Sequence, residues 1–116
     1  MLRLLEKFED IIFSFNFLLY EREANISRLK IEIIFIDQSR LYVRDFYLGG
    51  GKRKYAFHWM DKNDKLLVRW DNTEHWPDIA TYPHHKHVGN QLNIEASNEM
   101  LLEEVLESLL SKIGFF

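Results

Sequence analysis

The sequence predicts an α+β domain in which an antiparallel β-sheet meander of four to five strands has N- and C-terminal helices packed on one face. Three observations support this prediction. Over residues 28–70, segments of alternating apolar and polar residues are separated by short turns. The chain opens with one amphipathic helical pattern and closes with a stronger one. Its 116 residues have the length of a single domain, 1–116, which can bury a core without covalent cross-links.

The first predicted element is a short helix near residues 2–13, because apolar residues such as Leu5 and Phe8 recur at helical spacing. The run 15–20 could extend this helix or begin a strand, and its aromatic side chains favour a strand. Four strands follow in chain order. Their period-2 alternation and their content of β-forming residues place them at residues 28–36, 40–48, 52–59 and 66–70.

Short connections join these strands. Residues 37–39 and 61–64 have the composition of turns. The three glycines at 49–51 form a flexible link, because glycine accepts a positive φ without penalty. The third strand places its aromatic residues on one face and His58 on the other. Consecutive strands with connections this short pair as an antiparallel meander.

The last third of the chain contains an irregular segment and a helix. Residues 72–97 show no periodicity, and we expect this long stretch to be either functional or disordered. In the helix that follows, Ser97 or Asn98 can serve as the cap, and Glu99 complements the helix dipole. Its apolar stripe consists of Leu102, Val105, Leu106, Leu109, Leu110 and Ile113. Gly114 is suited to end the helix.

Charge is unevenly distributed along the chain, although the formal net charge is only −3. Residues 40–90 carry nine basic and six acidic residues, whereas residues 1–39 and 91–116 are both net acidic. The main basic contributors in the middle are Lys52, Arg53, Lys54, Arg69 and Lys86. A local basic surface suits a polyanionic ligand, but ordinary surface charge accounts for this pattern equally well.

The composition also bears on compartment and on cofactors. Charged residues occur too early at the N-terminus for a secretory signal peptide, and no apolar run approaches ~18 residues. We therefore expect a soluble, cytoplasmic protein. The absence of cysteine excludes disulfides, thiol nucleophiles and cysteine-based zinc sites, so a transition metal would have to be held by His, Asp or Glu.

The residues best suited to chemistry lie in the segment 69–89, which contains four of the five histidines and both prolines. Histidine titrates near neutrality and serves proton transfer, metal binding and phosphate contact. His84, His85 and His87 fall within four consecutive positions of a stretch without periodicity. Packing alone explains this clustering poorly.

Metal-independent cleavage of RNA is the leading interpretation of this segment, and it requires no cofactor. The reaction needs a base for the 2′-OH proton, an acid for the leaving oxygen and cations near the phosphorane. His85 and His87, with His84 beside them, are the candidate acid–base groups. Arg69 could stabilise negative charge, and Asp71 could orient one imidazole.

Binding of single-stranded nucleic acid without catalysis is a second interpretation. Lys86 would contact phosphate, while Tyr82, Trp76 and Trp70 would stack on bases. The other candidates for nucleic-acid contact are Lys52, Lys54, His58 and His75. Structural roles compete with these assignments, because a tryptophan such as Trp70 is more commonly part of the core of a small domain.

A metal-dependent hydrolase is a third interpretation. His85 and His87 lie two residues apart and project to the same side of an extended backbone. A set of histidine and carboxylate ligands could be completed by His58, Asp71, Glu74 or His75. No complete signature such as H-E-x-x-H is present, so the leading interpretation assigns no metal ligands.

The same segment resembles the TumE family, small prokaryotic proteins that form the toxin half of a toxin–antitoxin pair. The resemblance covers roughly residues 55–110 and rests on Tyr55-Ala56-Phe57-His58-Trp59, Arg69-Trp70-Asp71-Asn72 and Tyr82-Pro83-His84-His85-Lys86-His87-Val88-Gly89. The family pattern is close to R-[WYF]-D-N-x-x-H-H-P followed by F-P-H-H-K-H. This chain departs from it with Trp76 at the second histidine and Tyr82 in place of phenylalanine.

The resemblance implies a toxin inhibited by direct contact with an antitoxin that carries a helix-turn-helix. The positions that match the family pattern are His58, Arg69, Asp71, Asn72, His75, Pro77, Pro83, His84, His85, Lys86 and His87. A fourth interpretation is a protein without enzymatic activity that works through a protein partner. The N-terminal helix and the Phe115–Phe116 tail could then serve contact with the partner or formation of a homodimer.

Overall fold

The computed structural model describes residues 1–113, which form two helices and one seven-stranded antiparallel sheet. The helices are α1 (Leu2–Lys7) and α2 (Leu102–Ile113). The strands are β1 (Ile12–Glu23), β2 (Ile26–Phe35), β3 (Arg40–Gly49), β4 (Lys52–Met60), β5 (Leu66–Asp71), β6 (His85–Val88) and β7 (Ile94–Ala96). They lie side by side in chain order, which confirms the predicted α+β meander. The predicted helix stop at Gly114 and the Phe115–Phe116 tail lie outside the described residues.

The sheet has seven strands, so the prediction of four to five strands is too low. The additional strands β6 and β7 lie within residues 72–97, where the sequence shows no periodicity. They contain four and three residues, and their alternation is too short to be recognised.

The predicted helix over residues 2–13 is too long. It ends at Lys7, because the aromatic run that follows pairs with β2 as the long strand β1.

One face of the sheet is apolar and carries both helices. The register places Ile31 opposite Val43, and Val43 opposite Phe57. Phe57 is in turn opposite Trp70. Residues paired across an antiparallel ladder project from the same face, so this row forms the centre of the core. The row packs with residues of α2 such as Leu106, and its burial confirms Trp70 as a core residue.

The helix α2 contributes the predicted apolar stripe to this core. It begins at Leu102, so the prediction that Ser97 or Asn98 caps it is wrong. Glu104 instead accepts a hydrogen bond at 2.9 Å from the backbone N–H of Leu101, which is the carboxylate half of a capping box. Neither helix of the described chain is long and apolar enough to span a membrane.

The opposite face of the sheet, which we call the open face, carries neither helix within residues 1–113 and is polar. Alternation along β2 to β6 brings to it Lys30, Glu32, Tyr42, Arg44, His58, Arg69, Asp71, His85 and His87. His58 is opposite Arg69, which is itself opposite His87. Asp71 is opposite His85. The meander thus gathers five residues of the predicted site at the junction of β4, β5 and β6.

Candidate functional site

Asp71, His85 and His87 form a buried polar group, the Asp–His–His cluster, where β5 ends beside β6. His85 Nε2 lies 3.0 Å from Asp71 Oδ1, and His87 Nε2 lies 3.4 Å from Asp71 Oδ2. Only 3% of Asp71, 1% of His85 and 7% of His87 is exposed. Their mutual contacts therefore take place almost entirely out of water, where interactions between polar groups are strong.

Backbone carbonyl groups hold both imidazole rings in place. His85 Nδ1 lies 2.9 Å from the carbonyl oxygen of Pro83, and His87 Nδ1 lies 2.8 Å from that of Gln91. A carbonyl oxygen only accepts hydrogen bonds, so each Nδ1 carries a hydrogen and donates it. In a neutral imidazole the other nitrogen is then an unprotonated acceptor. Both Nε2 atoms are therefore directed at the carboxylate of Asp71.

The Asp71 carboxylate is held by donors on both oxygens. The backbone N–H of Thr73 donates to Oδ1 at 3.0 Å, and Arg69 Nε donates to Oδ2 at 3.1 Å. Burial by itself raises the pKa of the Asp71 carboxyl, but the Thr73 hydrogen bonds and nearby positive charge, that of Arg69 included, lower it by more. The resulting pKa lies below the ordinary value for aspartate, so Asp71 is ionised at neutral pH.

His58 extends the cluster along the open face. Its Nδ1 lies 3.2 Å from Arg69 Nη1. A guanidinium group only donates, so this Nδ1 accepts the hydrogen bond and His58 carries its proton on Nε2. Burial lowers the pKa of His58, and the positive charge of Arg69 lowers it further, which keeps the ring neutral. Arg69 therefore connects a neutral His58 to the ionised Asp71.

Two grooves lie beside the cluster, the first on the open face and the second at the beginning of β4, where residues of both faces line it. The first has a volume of about 190 Å³, and its lining includes Lys30, Tyr42, Arg44, His58 and Arg69. The second has a volume of about 690 Å³, and its lining includes Arg44, Lys52, Lys54, Asn72, Thr73 and Glu74. Arg44 lines both grooves, so they are adjacent. Basic residues outnumber acidic ones in both linings, which gives this face a positive surface next to the cluster.

The structure does not bring His84 and Lys86 together with the cluster. Lys86 is opposite Trp70, a core residue, so it projects from the face that carries the helices. His84 lies on that side as well, where its Nδ1 is 2.9 Å from the hydroxyl of Tyr55 and its ring stacks on the Tyr55 ring. The alternation of the backbone therefore separates these two residues from His85 and His87.

The aromatic candidates for base stacking also lie apart from the cluster. Trp76 and Tyr82 are 36% and 42% exposed, and His75 is exposed in the same connection between β5 and β6. Among the described residues, no hydrogen bond or aromatic contact joins these three side chains to the cluster. Trp70 is buried in the core, so it cannot stack on a base as the binding interpretation requires.

Sequence reasoning missed Lys30, Tyr42 and Arg44, which lie on the open face near His58. They come from β2 and β3, far from the histidine segment in the chain, and only the register of the sheet brings them to it. Each occupies an ordinary polar position of an alternating strand. They could have been identified from the sequence only by predicting the full strand register of the meander, which assigns the cross-strand neighbours of His58.

Comparison with known proteins places these residues in a family. A family model with the description Toxin TumE matches residues 1–113. No curated protein and no solved structure gives a significant match. The family match confirms the resemblance found over residues 55–110 and extends it across the N-terminal strands.

Proposed function

Because the chain belongs to the TumE family of toxins, we propose that it acts on nucleic acid and that this action is the cleavage of RNA in the cytoplasm. Membership in a toxin family implies a cognate antitoxin as partner. It does not name a reaction. RNA is proposed as the substrate because of the chemistry of the open face.

The observation that carries the proposal is a basic surface that ends at the Asp–His–His cluster. Lys30 and Arg44 line the first groove, and Arg69 both lines this groove and binds Asp71. Such a surface favours phosphate groups, because bound cationic side chains release the counterions of the nucleic acid. A strand bound along the groove would therefore bring a phosphate close to the cluster.

RNA cleavage requires a base, an acid and a cation beside the phosphorane. The Arg69 side chain is partly exposed and is the cation nearest to the cluster. The metal-independent route would use His85 and His87 as the acid–base pair, and it needs both Nε2 atoms to reach the substrate. In this structure both atoms face Asp71, and His85 is almost completely buried. This geometry supports a reaction in which Asp71, His85 and His87 act together better than one in which each imidazole contacts the substrate separately.

A second candidate function is binding of single-stranded nucleic acid without cleavage. The burial of His85 favours it, because an imidazole that is 1% exposed does not contact a 2′-OH. The exposed rings of Trp76 and Tyr82 suit stacking on unpaired bases. Lys52 and Lys54 in the second groove would add phosphate contacts.

We also propose that the antitoxin carries a helix-turn-helix and inhibits the toxin by direct contact, and that the toxin forms a homodimer. Co-expression of the two proteins followed by size-exclusion chromatography with light scattering tests both statements. A toxin that elutes as a monomer and never co-purifies with its antitoxin would contradict them.

The function is tested by incubating tag-free protein with end-labelled single-stranded RNA and DNA, followed by native and denaturing gels. We expect shortened RNA from the wild-type protein. The Lys30→Ala/Arg44→Ala variant should bind and cleave RNA less well. The Lys62→Ala/Lys65→Ala variant removes the same charge from the turn between β4 and β5 and should behave as wild type.

Three results would count against the proposal in different ways. A mobility shift without shortened RNA would replace cleavage by the binding function. The absence of both shift and cleavage would exclude nucleic acid as the ligand and direct attention to a protein target. Equal activity of the two double variants would exclude the first groove as the path of the strand.

A further inference from the structure

The Asp–His–His cluster directs three electron-pair donors at one another. The Nδ1 hydrogens of His85 and His87 are used by backbone carbonyls, so both Nε2 atoms offer lone pairs toward the oxygens of Asp71. His85 Nε2 is fully buried and makes no well-aligned hydrogen bond, although it lies 3.0 Å from Asp71 Oδ1. A buried acceptor left unsatisfied is unfavourable, because it loses its hydrogen bonds to water and gains none in the protein. The centre of the cluster is therefore complementary to a positive charge.

We propose that Asp71, His85 and His87 bind one divalent cation of a first-row transition metal, such as Zn²⁺, Mn²⁺ or Fe²⁺. Two imidazole nitrogens and one carboxylate form a donor set that these ions favour. Mg²⁺ and Ca²⁺ favour sites made of oxygen ligands, so the two nitrogens select against them.

The separations between the donor atoms match the size of such an ion. Ligand atoms that lie ~2.0–2.1 Å from a tetrahedrally bound ion are about 3.3 Å from one another. The distances from the two Nε2 atoms to the oxygens of Asp71 are 3.0 and 3.4 Å. One donor atom from each of the three residues lies within 4.8 Å of the others, so the side chains would have to rotate inward to enclose the ion.

The groups around the three side chains are those that typically support metal ligands. A metal-binding imidazole usually donates its second N–H to a carboxylate, a backbone carbonyl or water, which fixes the ring and leaves the other nitrogen free for the metal. The carbonyls of Pro83 and Gln91 have this role here. The backbone N–H of Thr73 orients the Asp71 carboxylate from outside the cluster.

Arg69 already supplies positive charge at Asp71 Oδ2, and a proton shared between His85 and Asp71 is the alternative to a metal ion at the Nε2 atoms. One proton would satisfy His85 but leave His87 Nε2 facing Asp71 Oδ2 at 3.4 Å. A second proton would place two imidazolium rings side by side, with ring centres 5.0 Å apart, in a buried site. Like charges this close oppose each other, whereas a single metal ion accepts electron pairs from both rings at once.

Three protein ligands leave at least one coordination position for water or a substrate oxygen, as in catalytic zinc sites. In RNA cleavage a metal ion bound here would neutralise negative charge on the phosphate that the 2′-OH attacks. That catalytic role rests on the proposed function, whereas the binding of the metal does not. In this arrangement His85 and His87 serve as ligands, and their burial favours the role.

The site is tested by titrating metal-free, tag-free protein with Zn²⁺ and with Co²⁺, using calorimetry and the visible absorption of Co²⁺. We expect one ion per chain. The variants Asp71→Asn and His87→Ala should weaken binding by at least about tenfold, because the first removes the negative charge of the ligand set and the second removes a ligand. The variant His75→Ala removes an exposed histidine outside the cluster and should bind as wild type.

Circular dichroism establishes whether the variants are folded. If they are not folded, nitrogen NMR of the imidazoles in the wild-type protein tests whether the two histidines bind the metal. On addition of Zn²⁺ the Nε2 resonances of His85 and His87 should shift as expected for metal-bound nitrogen, while both Nδ1 atoms stay protonated. Substoichiometric binding, undiminished affinity of folded Asp71→Asn, or unchanged Nε2 resonances would each overturn the site.

These results are independent of the RNA assay. RNA cleavage that survives EDTA in a protein that binds no metal would overturn the metal site and leave the proposed function standing. Stoichiometric metal binding in a protein without effect on RNA would support the site and overturn RNA as its substrate.

Discussion

His85 and Asp71 face each other across β5 and β6, with the imidazole Nε2 3.0 Å from the carboxylate Oδ1. The same ladder sets His87 opposite Arg69. Asp71 and His85 are fourteen positions apart in the sequence, and the antiparallel pairing of β5 with β6 places them side by side. A slip of one residue in this register would move His85 and His87 to the other face of the sheet, so the pairing of a four-residue strand determines whether the cluster exists.

Removal of two cations from the open face should weaken RNA binding mainly through electrostatics. For Lys30→Ala/Arg44→Ala we expect the slope of log K against log salt concentration to fall by about 1.4, since each phosphate contact contributes about 0.7 for a single strand. Fluorescence anisotropy at a series of salt concentrations measures the slope. Lys62→Ala/Lys65→Ala is the control with the same loss of charge, and an equal change in its slope would show that net charge alone is responsible.

Neighbouring histidines should differ in their effect on activity. His87→Ala is expected to lower RNA cleavage by about 100-fold or more, because it removes a member of the cluster. His84→Ala should leave the rate nearly unchanged, since His84 contacts Tyr55 on the other side of the sheet. Single-turnover cleavage rates at saturating enzyme measure both effects. Comparable losses in the two variants would contradict the assignment of the active groups to the open face.

The two tryptophans of the segment should differ in their effect on stability. Trp70 is 5% exposed in the core, and Trp70→Ala is expected to lower the free energy of unfolding by about 3–5 kcal/mol. Trp76 is 36% exposed, and Trp76→Ala should change the free energy of unfolding by no more than about 0.5 kcal/mol. Urea unfolding monitored by circular dichroism measures both. A large loss for Trp76→Ala would mean that the connection between β5 and β6 packs on the domain.

Arg53 should be a major contributor to stability on the face that carries the helices. It forms hydrogen bonds at 2.8 and 3.0 Å with both oxygens of Asp45, contacts Glu99 and lies over the Tyr55 ring. Arg53→Ala leaves the nearly buried Asp45 without its partner, so we expect a loss of about 3 kcal/mol in the free energy of unfolding.

The control for this prediction is Lys7→Ala. Lys7 also forms ion pairs with two carboxylates, Glu103 and Glu107, but all three side chains are exposed over about half of their surface. Water and salt screen such pairs, so the urea midpoint of this variant should remain close to that of the wild-type protein. A similar loss in both variants would mean that burial does not determine the strength of these ion pairs.

The stability of the protein should fall at alkaline pH because of Tyr55. Burial raises the pKa of the Tyr55 phenol to about 12, against the opposing effects of the Met100 backbone N–H and the Arg53 charge. The unfolded chain releases this proton at a pKa of about 10. As the pH rises, ionisation of the phenol therefore stabilises the unfolded state before it stabilises the folded state. Between about pH 10 and pH 12 the free energy of unfolding should fall by about 2 kcal/mol.

The variant Tyr55→Phe tests this prediction, because it has no phenol to ionise. Its free energy of unfolding, measured by urea denaturation over the same pH interval, should depend less steeply on pH than that of the wild-type protein. Tyr20→Phe, at an exposed position of β1, serves as the control and should keep the wild-type pH dependence. An unchanged slope for Tyr55→Phe would assign the alkaline effect to other groups.

Local alternation was sufficient to predict most of the sheet. The strands β2 to β5 are each at least six residues long and direct residues such as Ile31, Val43, Phe57 and Trp70 into the core, so their faces and their antiparallel order follow from the sequence. The strands β6 and β7 are too short for that signal, and the aromatic run of β1 was compatible with helix or strand. Pairing with β2 decides between the two for β1, and that interaction is not local.

The sequence by itself determined which residue types are available for chemistry: histidines, Arg69 and Asp71 close together, with no cysteine. It also determined the family and the apolar face of the sheet. Only the tertiary structure decided that His85 and His87 converge on Asp71 while His84 and Lys86 lie on the other side. The physical reason is that side-chain direction alternates along a strand, whereas the neighbours of a strand depend on ladder pairing between distant segments.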